Sequence, residues 1–278
     1  MEWVAEVSES DARTSYQLTP VWKGSTRFQE VVIGDSPVYG RMLFLDGELQ
    51  SASADEHIYH ETLVHPAMAL ARECAHVLVV GGGEGATVRE VLKWSPASVD
   101  WVDIDGELVS LCREHLRWAA DDVYQWPNVI YYPEDIEKIL PKLGSYDVII
   151  LDLPDPDGDT GYLYSVFFWR DIIQHLKVGG IIVSHCGPVR PYGGIGAGYQ
   201  RIHKAIGSVG WNLFYHVGIP SFQGEWGFYL FRRSAPGPLQ ERALPSGLRV
   251  VDHDQLNAWA RPSKVWRAAI NYSPEKNP

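Results

Sequence analysis

The segment Ala75-His76-Val77-Leu78-Val79-Val80 runs straight into Gly81-Gly82-Gly83-Glu84-Gly85 and then into a helical stretch ending near Trp94, and it constrains the fold more than any other. A short apolar run that ends in glycines and passes into a helix reads as a buried strand, a tight turn and a helix, the unit that opens a doubly wound sheet. The alternation continues downstream. Strands at Val99–Ile104, Val129–Tyr132, Tyr146–Leu151 and Gly180–His185 are interleaved with helices at Glu107–Leu116, Ile136–Leu143 and Leu163–Leu176. Elements of this length in this order require a mainly parallel sheet with right-handed crossovers. Trp211–Val217 and Trp226–Arg232 read as two further strands around the turn at Pro220–Gly224, a pair suited to close the sheet as an antiparallel hairpin.

Upstream the periodicity changes. Arg27–Ile33, Gly40–Leu45 and Glu48–Ser51 read as short strands, separated by Gly34-Asp35-Ser36-Pro37 and by Asp46-Gly47, a strong hairpin signal. The expected class is α/β: a small antiparallel β domain in residues 1–55 and a doubly wound, mainly parallel catalytic domain in residues 56–278. His57–Leu70 has helical spacing, and Asp254–Ala269 reads as one or two short helices with Pro262 between them.

A formal charge of −11 disfavours nucleic acid, whose phosphates need a basic surface, and suits a cationic substrate. No stretch approaches the roughly 20 apolar residues of a membrane span. The N-terminus, acidic at Glu2, Glu6, Glu9 and Asp11, lacks a signal-peptide pattern, so a cytoplasmic location is expected. Cys74, Cys112 and Cys186 are widely spaced with no C-x-x-C pair, which argues against disulfides and a thiolate zinc site. His60 and His65 stand five apart, where a metalloprotease helix needs four, so no metal is expected.

The glycines remove the Cβ atoms that would block a nucleotide from the backbone. Ala86 stands where a dinucleotide fingerprint has glycine or alanine, so the loop alone does not exclude a nicotinamide cofactor, nor a turn without a ligand. The next strand ends at Asp103, about 20 residues on, where an acid can bind both ribose hydroxyls. The strand after it ends near Glu134-Asp135, where a carboxylate can meet the exocyclic amine of adenine. A further strand delivers Asp152, Asp155, Asp157 and Asp159 to the mouth of the sheet. Crowded carboxylates repel unless a cation or a proton is shared. A polyamine or a sulfonium relieves that repulsion, a metal site would also do so, and a solvated acidic turn remains the plain reading for Asp157 and Asp159.

In order along the chain, Phe28-Gln29-Glu30, Leu45–Ser51, Asp55-Glu56-His57-Ile58-Tyr59-His60-Glu61 with His65-Pro66, Gly81–Glu90, Asp152–Pro156 and Ile219-Pro220-Ser221-Phe222 are similar to motifs of one family. From Ser15 to Arg233 the chain resembles the polyamine aminopropyltransferases, the spermidine and thermospermine synthases. The resemblance implies a Rossmann-like, class I methyltransferase-like catalytic domain behind an N-terminal β domain. It implies no tightly bound cofactor, with decarboxylated S-adenosylmethionine as co-substrate and a polyamine or diamine (putrescine, spermidine or agmatine) as acceptor. Methylthioadenosine would be the second product. Carried over position by position, Gln29 and Asp103 hold the adenosine, with Gly81 and Gly83 in its loop. Asp135 meets the adenine, and Glu84 with Asp152 takes the donor's terminal amine. Tyr59 and Asp152 line the reaction centre with Asp155 beside them, and the acceptor side comprises Tyr59, His60, Asp155, His185, Phe222, Glu225 and Trp226.

The chemistry implied is simple. An amine must be neutral to attack the carbon beside the sulfonium, yet is protonated at neutral pH, so a carboxylate must take its proton; Asp152 is the candidate. Glu84 replaces the family's usual Asp, Leu153-Pro154 replaces two small hydroxyl residues, and His185 stands where Gln is usual. Glu84, Phe222 and Trp226 resemble the thermospermine synthases, whereas Gly81–Leu92 and Val102–Val109 resemble thermophilic bacterial enzymes that extend agmatine. The acceptor therefore stays open. Two other readings compete: a methyltransferase or another S-adenosylmethionine-dependent transferase on the same scaffold, and a catalytically silent nucleotide-binding regulatory partner. A β unit with exposed edges makes a homodimer or higher homo-oligomer the expected assembly.

Overall fold

Among the described residues the strands fall into two sheets. The structure, a computed structural model, describes residues 1–5, 14–116, 123–155, 158–192, 195–233 and 242–270. Glu6, Glu9, Asp11, Asp157 and the side chain of Asp159 lie outside the described part. The first sheet is antiparallel, in the order β1 (Glu2–Ala5), β2 (Ser15–Ser25), β3 (Glu30–Ser36), β4 (Gly40–Leu45) and β5 (Glu48–Ala52). Asp46 and Gly47 both take left-handed backbone, φ 49° and 84°, as a tight hairpin turn demands. β2 hides in the sequence because Pro20 interrupts it, at a register shift where the ladder tolerates a missing N–H. The strand expected from Arg27 starts instead at Glu30. Thr26 Oγ1 accepts from the N–H groups of Phe28 (3.1 Å) and Gln29 (3.2 Å) and folds this stretch into a loop.

One face of this sheet encloses Tyr16, Leu18, Met42, Phe44, Leu49 and Ala52. The other sends Val31, Ile33 and Leu43 into the main core, beside Leu63, Val64 and Ala67 of α1 (Glu56–Leu70).

The second sheet has the order β11-β12-β10-β9-β6-β7-β8. β6 (His76–Gly81), β7 (Ser98–Val102), β8 (Val129–Tyr132), β9 (Tyr146–Asp152) and β10 (Leu176–Val189) are parallel. β12 (Gly224–Arg232) runs antiparallel between β10 and β11 (Trp211–Ile219), so the expected hairpin does close the sheet. Alternate residues enter two cores: Val77, Val79, Val148 and Ile150 join one, Leu78, Val80, Ile149 and Leu151 the other. Sheets buried on both faces need continuous apolar strands, which is why these segments read as unbroken runs. α2 (Ala86–Leu92) and α3 (Gly106–His115) cover the α1 side, while α4 (Ile136–Ile139), α5 (Val166–Gln174) and α6 (Ala197–Ile206) cover the other.

Several boundaries differ from expectation, and one helix was not expected. α5 is shorter than Leu163–Leu176, since Ser165 caps it by accepting from Phe168 N–H at 3.3 Å and Leu176 already pairs with Tyr146. β10 is correspondingly longer than Gly180–His185. α6 was not anticipated behind its glycine-rich approach, although it buries Tyr199, Ile202 and Ile206 at helical spacing. α7 (His253–Trp259) and α8 (Lys264–Ala269) are the two short helices expected on either side of Pro262. Among the described residues no helix is long and apolar enough to cross a membrane.

The strand order reverses between β6 and β9, where Gly81 and Asp152 are register partners. Doubly wound sheets place their ligand crevice outside the carboxyl ends of the strands at this point.

Candidate active site

The glycine turn and Asp152 fit against each other. Gly81 has φ +80°, and a Cβ there would lie 2.0 Å from the Asp152 carbonyl oxygen; at Gly82, φ +68°, it would lie 2.8 Å from Asp152 Oδ2. Only glycine allows that approach. The Asp152 carboxylate is held on both sides, Oδ1 accepting from the Tyr59 hydroxyl at 2.6 Å and Oδ2 from Thr87 Oγ1 at 2.5 Å. Each oxygen keeps a further lone pair, so the group is oriented but not saturated. Burial, then the neighbouring Asp152 charge, push the Tyr59 phenol well above its ordinary range, so it stays a donor. Thr87 was missed in sequence; its position in the first turn after the glycines was the available signal.

Glu84, at the end of the same turn, is buried. Its Oε1 lies 2.6 Å from His60 Nε2, and its Oε2 has no hydrogen-bond partner among the described residues. His60 Nδ1 lies 2.8 Å from both the carboxylate and the carbonyl of Glu56. Burial pulls the imidazole down, but Glu84 and Glu56 outweigh it and raise His60 to about 10. Both ring nitrogens are thus occupied, and His60 belongs to the support of Glu84 rather than to an open acceptor wall.

At the end of β7, Asp103 Oδ1 accepts from the Asp105 N–H at 2.8 Å. Burial lifts the Asp103 carboxyl to about 7, against that hydrogen bond and with the help of the Asp105 and Asp152 charges. Asp105, almost wholly buried, caps α3 by accepting from Leu108 N–H at 3.0 Å and also binds Thr26 Oγ1 (2.6 Å) and Gln29 Nε2 (2.9 Å). It joins the loop of the N-terminal sheet to the crevice and brings Gln29 there. Asp135 caps α4, accepting from Glu137 N–H at 3.0 Å, with Lys138 Nζ 3.4 Å away.

Aromatic rings line the remaining side. Tyr59 packs against Phe222 at 6.2 Å and His185 at 6.0 Å between centroids; Trp226 stacks on His185 and lies 4.7 Å from Phe222. The His185 ring donates from Nε2 to the Leu153 carbonyl, and its Nδ1 accepts from the Gly187 N–H at 3.2 Å and lies 3.8 Å from Asp155 Oδ1. The turn carrying Phe222 is clamped by the N-terminal half. Tyr16 donates to the Ser221 carbonyl at 2.6 Å, and Asp55 accepts from the Ser221 N–H at 2.7 Å. Glu225 is placed apart. Side chains alternate along β12, so Glu225 points to the face opposite Trp226 and pairs with His216 Nδ1 at 2.7 Å.

The family model of the spermine/spermidine synthase domain matches residues 56–233, and that of the spermidine synthase tetramerisation domain matches residues 3–53. The chain belongs to the spermine/spermidine synthase family. Over 228 residues it is 39% identical to polyamine aminopropyltransferase 2 of Pseudomonas aeruginosa, covering 77% of this chain. It spans 63% of that relative's length. A polyamine aminopropyltransferase of a Synechococcus strain is 36% identical over 241 residues, 84% of this chain and 76% of the relative. The crystal structure of spermidine synthase from Thermotoga maritima superposes with a TM-score of 0.86 at 22% identity, over 98% of this chain and 94% of that one, a likeness of fold. In this member of the spermine/spermidine synthase family, the residues brought together at the switch point are Tyr59, Gly81, Gly82, Glu84, Thr87 and Asp152.

Proposed function

We propose that this chain transfers the aminopropyl group of decarboxylated S-adenosylmethionine to a polyamine or diamine and releases methylthioadenosine. The observation that carries the reading is Asp152, a carboxylate at the switch point oriented by Tyr59 and Thr87, whose Tyr59 partner is itself packed into an aromatic wall. The family membership and the names of the relatives support it. In this reading the glycine turn, Gln29, Asp103 and Asp135 hold the adenosine, and the unpartnered Glu84 Oε2 takes the donor's ammonium. The acceptor lies along Asp155, Tyr59, His185, Phe222 and Trp226, since aromatic faces attract alkylammonium groups. Asp152 removes a proton from the acceptor ammonium. The freed nitrogen lone pair then attacks the carbon beside sulfur, and the C–S bond breaks with its electrons going to the sulfonium. The products are a neutral thioether and a new secondary ammonium, and positioning rather than leaving-group activation supplies most of the rate.

The match of residues 3–53 to a tetramerisation domain supports a homo-oligomer. Putrescine, spermidine and agmatine remain the acceptors to be compared.

Supplying both donor forms decides the reaction class. With the decarboxylated donor and an amine panel, mass spectrometry is expected to show methylthioadenosine and an amine longer by one aminopropyl unit. Ordinary S-adenosylmethionine should turn over poorly, because its extra carboxylate would approach Glu84 and Asp152. Formation of S-adenosylhomocysteine at a comparable rate would overturn the reading in favour of a methyltransferase.

Adenosine binding should carry the signature of Asp103. Two ribose hydroxyls donate best to an ionised carboxylate, so methylthioadenosine affinity should fall as pH drops below about 7. Asp103→Asn should weaken binding by about 1–3 kcal/mol and flatten this dependence. Calorimetry across that range tests it, and a parental pH profile in the variant refutes the assignment.

A further inference from the structure

The side chains behind Glu84 form an alternating chain of charge that the reaction itself does not use. Arg89 Nη2 lies 2.8 Å from Glu56 Oε2; Glu56 Oε2 lies 2.8 Å from His60 Nδ1; His60 Nε2 lies 2.6 Å from Glu84 Oε1. Glu56, His60 and Glu84 are all buried. Glu56 and His60 are one turn apart on α1, Arg89 is on α2, and Glu84 is in the glycine turn, so the chain ties three elements together. The charged groups that reach His60 are Glu56 on its own helix and Glu84 across from it. Arg89 lies behind Glu56, as does Arg249 at 3.9 Å, and the Tyr59 ring packs edge-on at 5.1 Å.

We propose that Glu56 is a positioning residue for the donor amine: it holds His60 with a proton on each nitrogen, so that His60 clamps Glu84 Oε1 and leaves Oε2 as the acceptor for the ammonium. Both neighbours of Nδ1 are acceptors, so Nδ1 carries a proton, and with Glu84 ionised the 2.6 Å contact needs the second on Nε2. If His60 lost one and kept the other on Nδ1 for Glu56, the Nε2 lone pair would face the Glu84 carboxylate at 2.6 Å, a repulsive contact. Glu84 would then rotate away or take up a proton, and in either case the donor's amine would lose its partner. Glu56 keeps the clamp closed across the neutral and mildly alkaline range, where free acceptor amine becomes available. Burial opposes ionisation of Glu56, but His60 and Arg89 hold its carboxyl down to about 2, so it remains an anion throughout.

The inference rests on the aminopropyltransferase reading for its ligand, and its test separates the two. Glu56→Gln keeps the shape and an acceptor for Nδ1–H while removing the charge. Affinity of the variant for decarboxylated S-adenosylmethionine should stay within about threefold of the parent near pH 6. It should be weaker by about tenfold or more near pH 9, since each pH unit past a pKa costs tenfold in the charged form. Methylthioadenosine lacks the amine and should bind both proteins alike at both pH values. Arg89→Gln removes the cation behind Glu56, leaving more of that charge to His60, and should not bring the alkaline loss to lower pH. If the network merely supported the fold, both variants would lose affinity in the same direction and for both ligands. Independently of any ligand, NMR of histidine-labelled protein should show the His60 imidazole titrating at lower pH in Glu56→Gln than in the parent. Parallel pH profiles for parent and Glu56→Gln, or an unmoved His60 titration, overturn the proposal. A parent that binds methylthioadenosine but not the decarboxylated donor overturns the functional reading instead.

Discussion

Asp152→Asn is expected to lower the single-turnover rate at saturating amine by about 10²–10⁴-fold, the usual worth of a positioned general base. Most of the donor affinity should remain, since Glu84 still holds the donor's amine. Asn has the size of Asp and keeps one acceptor for either Tyr59 or Thr87, and the other hydroxyl can rotate to accept from the new amide. In the proposed mechanism, what disappears is the charge that collects the amine's proton. The variant's rate should therefore climb with pH more steeply than the parent's, since alkylamines near the lysine reference value of about 10.4 supply little free base at neutrality. Asp155→Asn should raise the KM for the amine at least as much as it lowers kcat. Stopped-flow or quench measurements of methylthioadenosine formation decide the matter. Near-parental rates in Asp152→Asn would make Asp152 a structural acid and move the search for the base to Asp155.

The second large effect is on folding. Gly81→Ala combines two penalties: a left-handed backbone at φ +80° and a Cβ 2.0 Å from the Asp152 carbonyl oxygen, a main-chain atom paired in the sheet register. The backbone conformation alone costs a non-glycine residue about 1–2 kcal/mol. The overlap cannot be relieved by rotating a side chain, so the total should reach about 4 kcal/mol or more, among the largest single-residue effects. Gly247→Ala isolates the first penalty, because Gly247 has the same φ of +80° and open space around its Cβ position. Denaturant unfolding should show a small loss for Gly247→Ala and a large one, or no soluble protein, for Gly81→Ala. Equal losses would mean that the glycine turn does not press on β9 in solution.

Much of the architecture is legible because its causes are local. Val77–Val80 and Val148–Leu151 are short, continuous apolar runs, and such runs interleaved with helices leave little besides a parallel sheet buried on both faces. Asp46-Gly47 announces its hairpin because both residues tolerate positive φ. Strand ends in a doubly wound sheet converge on one crevice, which is why Asp103, Asp135 and Asp152 read in sequence as candidates for it.

Other features depend on contacts between residues far apart in the chain. Tyr59 and Asp152 are 93 residues apart, Thr87 and Asp152 65, and Gln29 and Asp105 76. Glu225 and Trp226 are adjacent in sequence, yet strand alternation sends one to His216 and the other to His185. His60 reads in sequence as a substrate contact and is in fact enclosed by Glu56 and Glu84. Sequence alone determined the alternation of strand and helix in the parallel sheet, its burial on both faces and which of its strands end in acids, because backbone periodicity and turn chemistry act over a few residues. Which hydroxyls orient Asp152, which oxygen of Glu84 is left unpartnered and which acids turn away from the crevice were decided only by tertiary structure, because hydrogen-bond geometry and burial are set when distant segments pack together.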